Sequence, residues 1–199
     1  MKQYKKATLL EKARTIADKF VERYNRPGVV GIIFLGALAR GYFDRFADID
    51  IVVWKRKNSS IRSTYRPTGR LKNFLLDLTV MNFEDAQQKP WSSMEGRWAF
   101  SQSLVVYDPS GLTKNLIRAK TRFSWPERRW LMMEGVVQSE WYAVELAKTW
   151  VARKDILNAH AMFSQGMRHF YDALFALNEQ LIPSEKWKVH EATRLAWIP

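Results

Sequence analysis

The 199 residues carry 32 Lys and Arg against 20 Asp and Glu, a formal net charge of +12. The long-range field therefore favours anionic partners (nucleotides, nucleic acid, acidic surfaces) and disfavours polycations. A hydrophobic share of 47% with nine Trp and eleven Phe is enough for a packed core and excludes wholesale disorder, while the absence of cysteine excludes a disulfide frame and thiolate-held zinc.

The start, "MKQYKKATLLEKAR", turns charged before a signal-peptide core forms. No apolar run is long enough to span a bilayer, so the chain reads as soluble, cytoplasmic and without a membrane partner. Residues 8–24 place Leu9, Ala13, Ile16, Ala17, Phe20 and Tyr24 at helical steps, with Thr8 and Glu11 as a capping-box pair. "RPG" at 26–28 ends that helix. "VVGIIFL" (29–35) is a β-branched run expected as a central strand, followed by a turn and short helix over Gly36–Gly41 and a second strand over Asp48–Trp54.

Residues 51–76 hold seven Lys or Arg and no acid, and 55–72 reads as a basic loop. "NFLLDLTVM" (73–81) is expected as a third strand, "WSSMEGRWAFSQ" as a helix, "LVVYDPSG" as a fourth strand with its turn, and "LTKNLIRAK" as another helix.

A boundary is expected near "TRFSWPERRW", where Ser124 and Glu127 again make a capping pattern with Pro126 in the first turn. Beyond it, 127–150 and 155–180 are long helical patterns without strand signals, and "IPSEKW" opens a third helix running to "AWIP". The expectation is a first domain over 1–123 and a helical domain over 124–199. The chain stops within a helical pattern, so the helical domain reads as open to continuation.

The chemistry is concentrated in "DIDIVVW". Strand side chains alternate, so Asp48 and Asp50 project to one face while Ile49, Ile51 and Val53 take the other. Two carboxylates on one face repel, and burying them uncompensated is costly. A divalent cation removes that cost, and Mg²⁺ takes one or two carboxylates while keeping water and phosphate oxygens. Asp77 in "FLLDLTVM" lies on the face of Leu75 and Thr79, and an antiparallel neighbour would bring it beside the pair. Three carboxylates could then hold one or two ions around a triphosphate.

A strand ending in a glycine turn, a short helix, then Asp-x-Asp entering the next strand resembles the nucleotidyltransferase superfamily that includes DNA polymerase beta and the kanamycin and lincosamide nucleotidyltransferases. The residues carrying it are Leu35-Gly36-Ala37, Arg40-Gly41, Asp48-Ile49-Asp50, Asp77 and "VVYDPSG". The match covers roughly 29–120, and "LNEQLIPSEKW" resembles the helical partner domain more loosely.

The resemblance implies an α+β fold, a mixed β-sheet nucleotidyltransferase domain followed by a helical bundle. It implies Mg²⁺ or Mn²⁺ on Asp48, Asp50 and Asp77, with ATP or another nucleoside triphosphate as co-substrate at Gly36, Ala37 and Arg40. AMP would pass from ATP to a hydroxyl of a small-molecule acceptor. Two positions depart from the family pattern: Ala37 and Ala47 stand where serines are usual, and the first removes a hydroxyl ligand for the terminal phosphates. The alternative is a non-catalytic or weakly active member that binds nucleic acid or protein, or one that nucleotidylates a protein or RNA.

Other signals compete with simpler roles. Arg40 suits either a developing phosphate charge or a helix-end ion pair. Glu134, Glu140 and Glu145 are the general-base options on the following helix, each also readable as a solvated charge. Arg153 and His160 fit a short Arg-x6-His spacing resembling helical ribonuclease domains. The Trp-rich helices (Trp125, Trp130, Trp141, Trp150, Trp187, Trp197) could line a ligand cleft, though aromatics at helical spacing are more often core. Trp54 and Tyr65 among the basic residues of 55–72 suit stacked bases and a phosphate backbone, but they suit a solvated hairpin beside a triphosphate better.

Overall fold

Period-two alternation explains the sheet. The computed structural model describes residues 2–64, 68–71 and 73–198. Strands β1 (Val29–Phe34), β2 (Ile49–Lys55), β3 (Thr68–Leu71), β4 (Phe74–Asn82) and β5 (Leu104–Tyr107) form one mixed sheet in the order β3-β4-β2-β1-β5. Strands β1/β2, β1/β5 and β3/β4 pair antiparallel, whereas β2 and β4 run parallel.

Each face gathers its own apolar cluster. Ile49, Ile51 and Val53 of β2 join Ile32, Phe34, Leu78 and Val80 beneath Ala13, Ala17 and Phe20 of helix α1 (Lys2–Tyr24). Val52 and Trp54 point the other way, into Val30, Ile33, Phe83, Ala86, Leu116 and Ile117. That second cluster is closed by α3 (Phe83–Gln88), α4 (Met94–Ser101) and α5 (Leu112–Lys120). Helix α2 (Gly36–Arg40) links β1 to β2.

The chain divides into two compact units, residues 1–121 and 122–199. The second is helical. In α6 (Trp125–Glu140), the Ser124 N–H donates to Glu127 Oε2 at 2.9 Å and the Glu127 N–H returns to Ser124 Oγ, a complete capping box. A π-helical turn (Trp141–Leu146) and α7 (Ala147–Ala152) continue the run, and α8 (Ile156–Leu177) packs back along it. Glycines set that seam. A Cβ at Gly135 would meet Ala173 Cβ and the His169 carbonyl at 2.7 Å, and one at Gly166 would strike the Ala143 backbone.

Helix α9 (Glu185–Ala192) sits on α8 through buried Lys188, whose Nζ lies 2.9 Å from Asp172 and 2.6 Å from Glu185. Among the described residues no helix is long and apolar enough to cross a membrane.

Several expectations need correction. Helix α1 begins at Lys2, so Thr8 lies inside it rather than capping it. The basic segment contains β3, because β4 has an open edge that Thr68–Leu71 can pair. The last helix ends at Ala192, and the tail folds back, with the Trp197 N–H donating to Asn178 Oδ1 at 2.8 Å. The tryptophans of the helical unit are not core as a group: Trp125, Trp130, Trp141 and Trp197 are all exposed, Trp130 by 61%.

Candidate active site

The site grows from the β2/β4 register. In the parallel pair, Asp50 stands opposite Asp77, followed by Val52 opposite Thr79 and Trp54 opposite Met81. Partners in register share a face, so the Asp50 and Asp77 carboxylates are neighbours on adjacent strands. Alternation carried back one step places Asp48, just ahead of β2, on the same face. All three are half-buried. The neighbour that brings in Asp77 is thus parallel, not antiparallel. The β3–β4 hairpin reverses the chain once more and makes this possible.

The glycine turn closes against these acids. The Leu35 N–H donates to the Asp50 carbonyl at 3.0 Å, which pins the end of β1 to the start of β2. Gly36 follows with φ +57°, and any Cβ there would collide with Asp50 Oδ2. Glycine is required twice over, by the left-handed backbone and by the carboxylate occupying the side-chain space. Gly41 closes α2 in the same backbone region, at φ 78°.

Ala37 is half-buried and packs with Ala39 and Ala47 against the first apolar cluster. Ala37 and Ala47 thus present methyl groups to apolar neighbours. Arg40 is held by aromatic rings: its guanidinium lies 4.8 Å from the Trp98 centroid and 5.5 Å from that of Tyr42, and Nε donates to the Gly36 carbonyl at 3.4 Å. It therefore ties the far end of α2 back to the turn.

Among the described residues no group of three His, Cys, Asp or Glu side chains is gathered as a metal cage. The register pair Asp50 and Asp77, with Asp48 on the same face, is a row of carboxylates rather than a closed cage.

The remaining candidates fall elsewhere. Trp54 is wholly buried in the second cluster, so it is not available to stack a nucleic-acid base. Tyr65 lies outside the described residues. Lys55 is buried and donates to Asn82 Oδ1 at 2.8 Å, and Arg56 pairs with Glu84 at 3.5 Å. Part of the basic run is thereby tied to the fold. Glu134, Glu140 and Glu145 belong to the helical unit, where Glu145 pairs with Lys148 at 3.7 Å. Arg153 caps α7 with its guanidinium 4.8 Å from the Trp150 ring, and His160 is exposed on α8.

No protein-family model matches the chain, and no curated protein matches it. Among solved structures it is similar to a nucleotidyltransferase-like protein from Exiguobacterium sibiricum 255-15, at 13% identity and a TM-score of 0.44. The alignment covers 93% of this chain and 62% of that one, so the chain spans less than two thirds of the relative's length.

Proposed function

We propose that the chain is a metal-dependent nucleotidyltransferase that moves a nucleoside monophosphate, AMP from ATP, onto a hydroxyl of a small-molecule acceptor. The observation that carries this reading is the register pairing of Asp50 with Asp77, with Asp48 on the same face and the Gly36 turn packed against the Asp50 carboxylate. Arranged this way, Asp48 and Asp50 would hold Mg²⁺ or Mn²⁺ delivered with the triphosphate, and Asp77 would stand beside the acceptor. When bound, the ion supplies charge neutralisation at the phosphates.

The protein's own share is positioning and proton handling. The acceptor oxygen attacks the α-phosphorus, the bond to the bridging oxygen breaks, and pyrophosphate leaves. The hydroxyl proton passes to the Asp77 carboxylate, whose neighbour Asp50 keeps it in place through the strand register. Arg40 acts at one remove by fixing the turn. A net charge of +12 favours a neutral or anionic acceptor over a polycationic one.

Pyrophosphate release measured with Mg²⁺, each nucleoside triphosphate and a panel of neutral and anionic hydroxyl compounds tests the reading. Asp50→Asn or Asp77→Asn should lower any transfer by about 100-fold or more. Transfer that survives both substitutions would end it.

The packing of the Ala37 and Ala47 methyls against the apolar cluster supports a second reading, a binding module without catalysis. Ala37→Ser discriminates between the two. If neither form holds nucleotide while RNA binds with a steep salt dependence, the second reading wins.

A further inference from the structure

Helix α6 and the π-helical turn after it expose Trp130, Met133, Val137, Trp141 and Val144. At helical spacing these side chains keep to one face. The steps between them are 3, 4, 4 and 3 residues, so the series reads the same in both directions from Val137. An isologous contact between two antiparallel copies of a helix needs that symmetry, because each residue before the axis meets one equally far beyond it. Trp130 would then meet the partner's Val144, and Met133 the partner's Trp141.

The face is large enough for such a contact. Together with exposed Trp125 and Val136, it offers on the order of 700 Å² per chain, taking about 250 Å² for a whole Trp. A monomer's largest apolar patch is usually about 300–600 Å², and a stable interface takes about 800 Å² from each partner. The surface is also shaped. A hollow of about 390 Å³ lined by Trp125, Pro126, Arg129, Trp130 and Met133 opens at the N-terminal end of the stripe, where the antiparallel pairing brings the partner's Trp141 and Val144.

Charge favours the same occupant. Residues 122–199 hold ten Lys and Arg against nine Asp and Glu, so nearly all of the +12 surplus belongs to the first unit and two helical units repel little. Arg129, Glu134, Glu140 and Glu145 flank the stripe, and this mostly acidic border disfavours nucleic acid and anionic lipid. Arg129 has no ion pair among the described residues. It stands eight residues before Val137, and antiparallel pairing brings it level with the partner's Glu145, eight residues after.

We propose that two copies of this chain join through this face, antiparallel about a two-fold axis at Val137. The inference does not depend on the nucleotide reading. The dimer is reversible, so in dilute solution the stripe is exposed and its side chains add little to the stability of the single chain.

Sedimentation equilibrium of the full chain from about 1 to about 200 µM, which spans the weak end of interfaces of this size, tests the proposal. The mass should rise from 23.4 kDa towards twice that value. Val137→Glu sets two like charges together on the axis and should raise the dissociation constant by about 100-fold or more, with the unfolding midpoint of the dilute chain unchanged. The chain has no cysteine, so introduced thiols report the register. On mild oxidation Val137→Cys should link to itself. Trp130→Cys should link to Val144→Cys but not to itself, since a disulfide needs Cα atoms within about 7 Å.

A wild type that remains a monomer throughout the range overturns the proposal, whether the stripe is then open or covered by its own chain. So does a dimer that Val137→Glu leaves intact, or Trp130→Cys that links to itself as readily as Val137→Cys. Flotation with anionic vesicles, lost in Val137→Glu and without dimer formation, would overturn it in favour of a lipid surface.

Discussion

The two units use the same large apolar residues in opposite ways. In the first, alternation along β1 and β2 sends side chains to two faces, and each face has a cover: α1 on one side, α3 to α5 on the other. In the second, α6 and α8 meet where side chains are smallest, with Gly135 against Ala173 and Gly166 against Ala143. The long apolar residues of that run, Trp130, Met133, Val137, Trp141 and Val144, recur at steps of three and four and are all exposed. A helical apolar stripe thus marks a face, and it is the glycines, not the tryptophans, that mark the covered one.

The sharpest way to break that comparison is one substitution made in both units. Trp54→Ala removes a wholly buried ring stacked among Phe83, Trp91 and Phe100 and should cost about 4 kcal/mol. Trp130→Ala, at an exposed position, should cost less than about 0.5 kcal/mol. Urea unfolding of the two variants measures both. Similar losses would mean that the exposed stripe is covered in solution.

A second test concerns the buried charge of the helical unit. Burial acts to lower the Lys188 pKa, but hydrogen bonds and charges from Asp172 and Glu185 outweigh it and hold it above the ordinary lysine value. For Asp172 the balance reverses: burial raises its carboxyl above the usual range despite the Lys188 hydrogen bond and charge. The two directions agree with one cation serving two anions, at 2.9 and 2.6 Å.

Lys188→Met leaves Asp172 buried without its cation and should cost about 3 kcal/mol, whereas Lys188→Met with Asp172→Leu should return most of it. The pH dependence has a definite sign. A carboxyl with a raised folded pKa binds more protons folded than unfolded, so its contribution falls as pH rises through the window just above the ordinary carboxylate value. The Lys188 contribution is complete below the ordinary lysine value and is lost as pH rises through the raised folded one. Relative to Asp172→Asn, wild-type stability should therefore decline through the first window, stay level, and fall again only in strong alkali.

Glycine to alanine gives a smaller effect whose sign should differ between the units. At Gly166 the added methyl strikes the Ala143 backbone and should cost about 2 kcal/mol. At Gly96, within α4, it meets only Ser93 at an ordinary 3.5 Å and should stabilise by about 0.5 kcal/mol through the helix preference for alanine. Thermal unfolding of the two variants checks this.

These contrasts also show what the sequence could and could not reveal. Strands β1, β2, β4 and β5 were legible because β-branched and aromatic residues alternate within short runs, and the capping box at Ser124 was legible because it is local. Strand β3 was not. "TGRL" has little strand character of its own and pairs because the edge of β4 is open beside it. Asp48 and Asp50 could be assigned to one face by counting, but the direction of β4 and the row that Asp77 occupies are set by pairing between distant residues. Trp54 closes a strand and opens a basic stretch, so the sequence leaves it between base stacking and a solvated hairpin. It is core because Phe83, Trp91 and Phe100 cover it, and those residues arrive from elements much later in the chain.

The smallest expected effect separates the two units by ligand. All three candidate acids and the Gly36 turn lie in the first unit, so nucleotide binding should act on that unit. Mass action stabilises whatever binds, by about 1.4 kcal/mol at ten times the dissociation constant. In the proposed reading, a cation held by so few protein oxygens needs phosphate to complete its shell. Mg²⁺ or ATP alone should therefore shift the melting temperature little, and both together by more than the sum. Hydrogen exchange with both present should slow at the Leu35–Gly41 turn and along β2 and β4, and stay unchanged in α6 and α8. Asp48→Asn with Asp50→Asn should abolish the excess. Additive shifts, the same in wild type and variant, would instead make the three carboxylates structural features of a basic sheet.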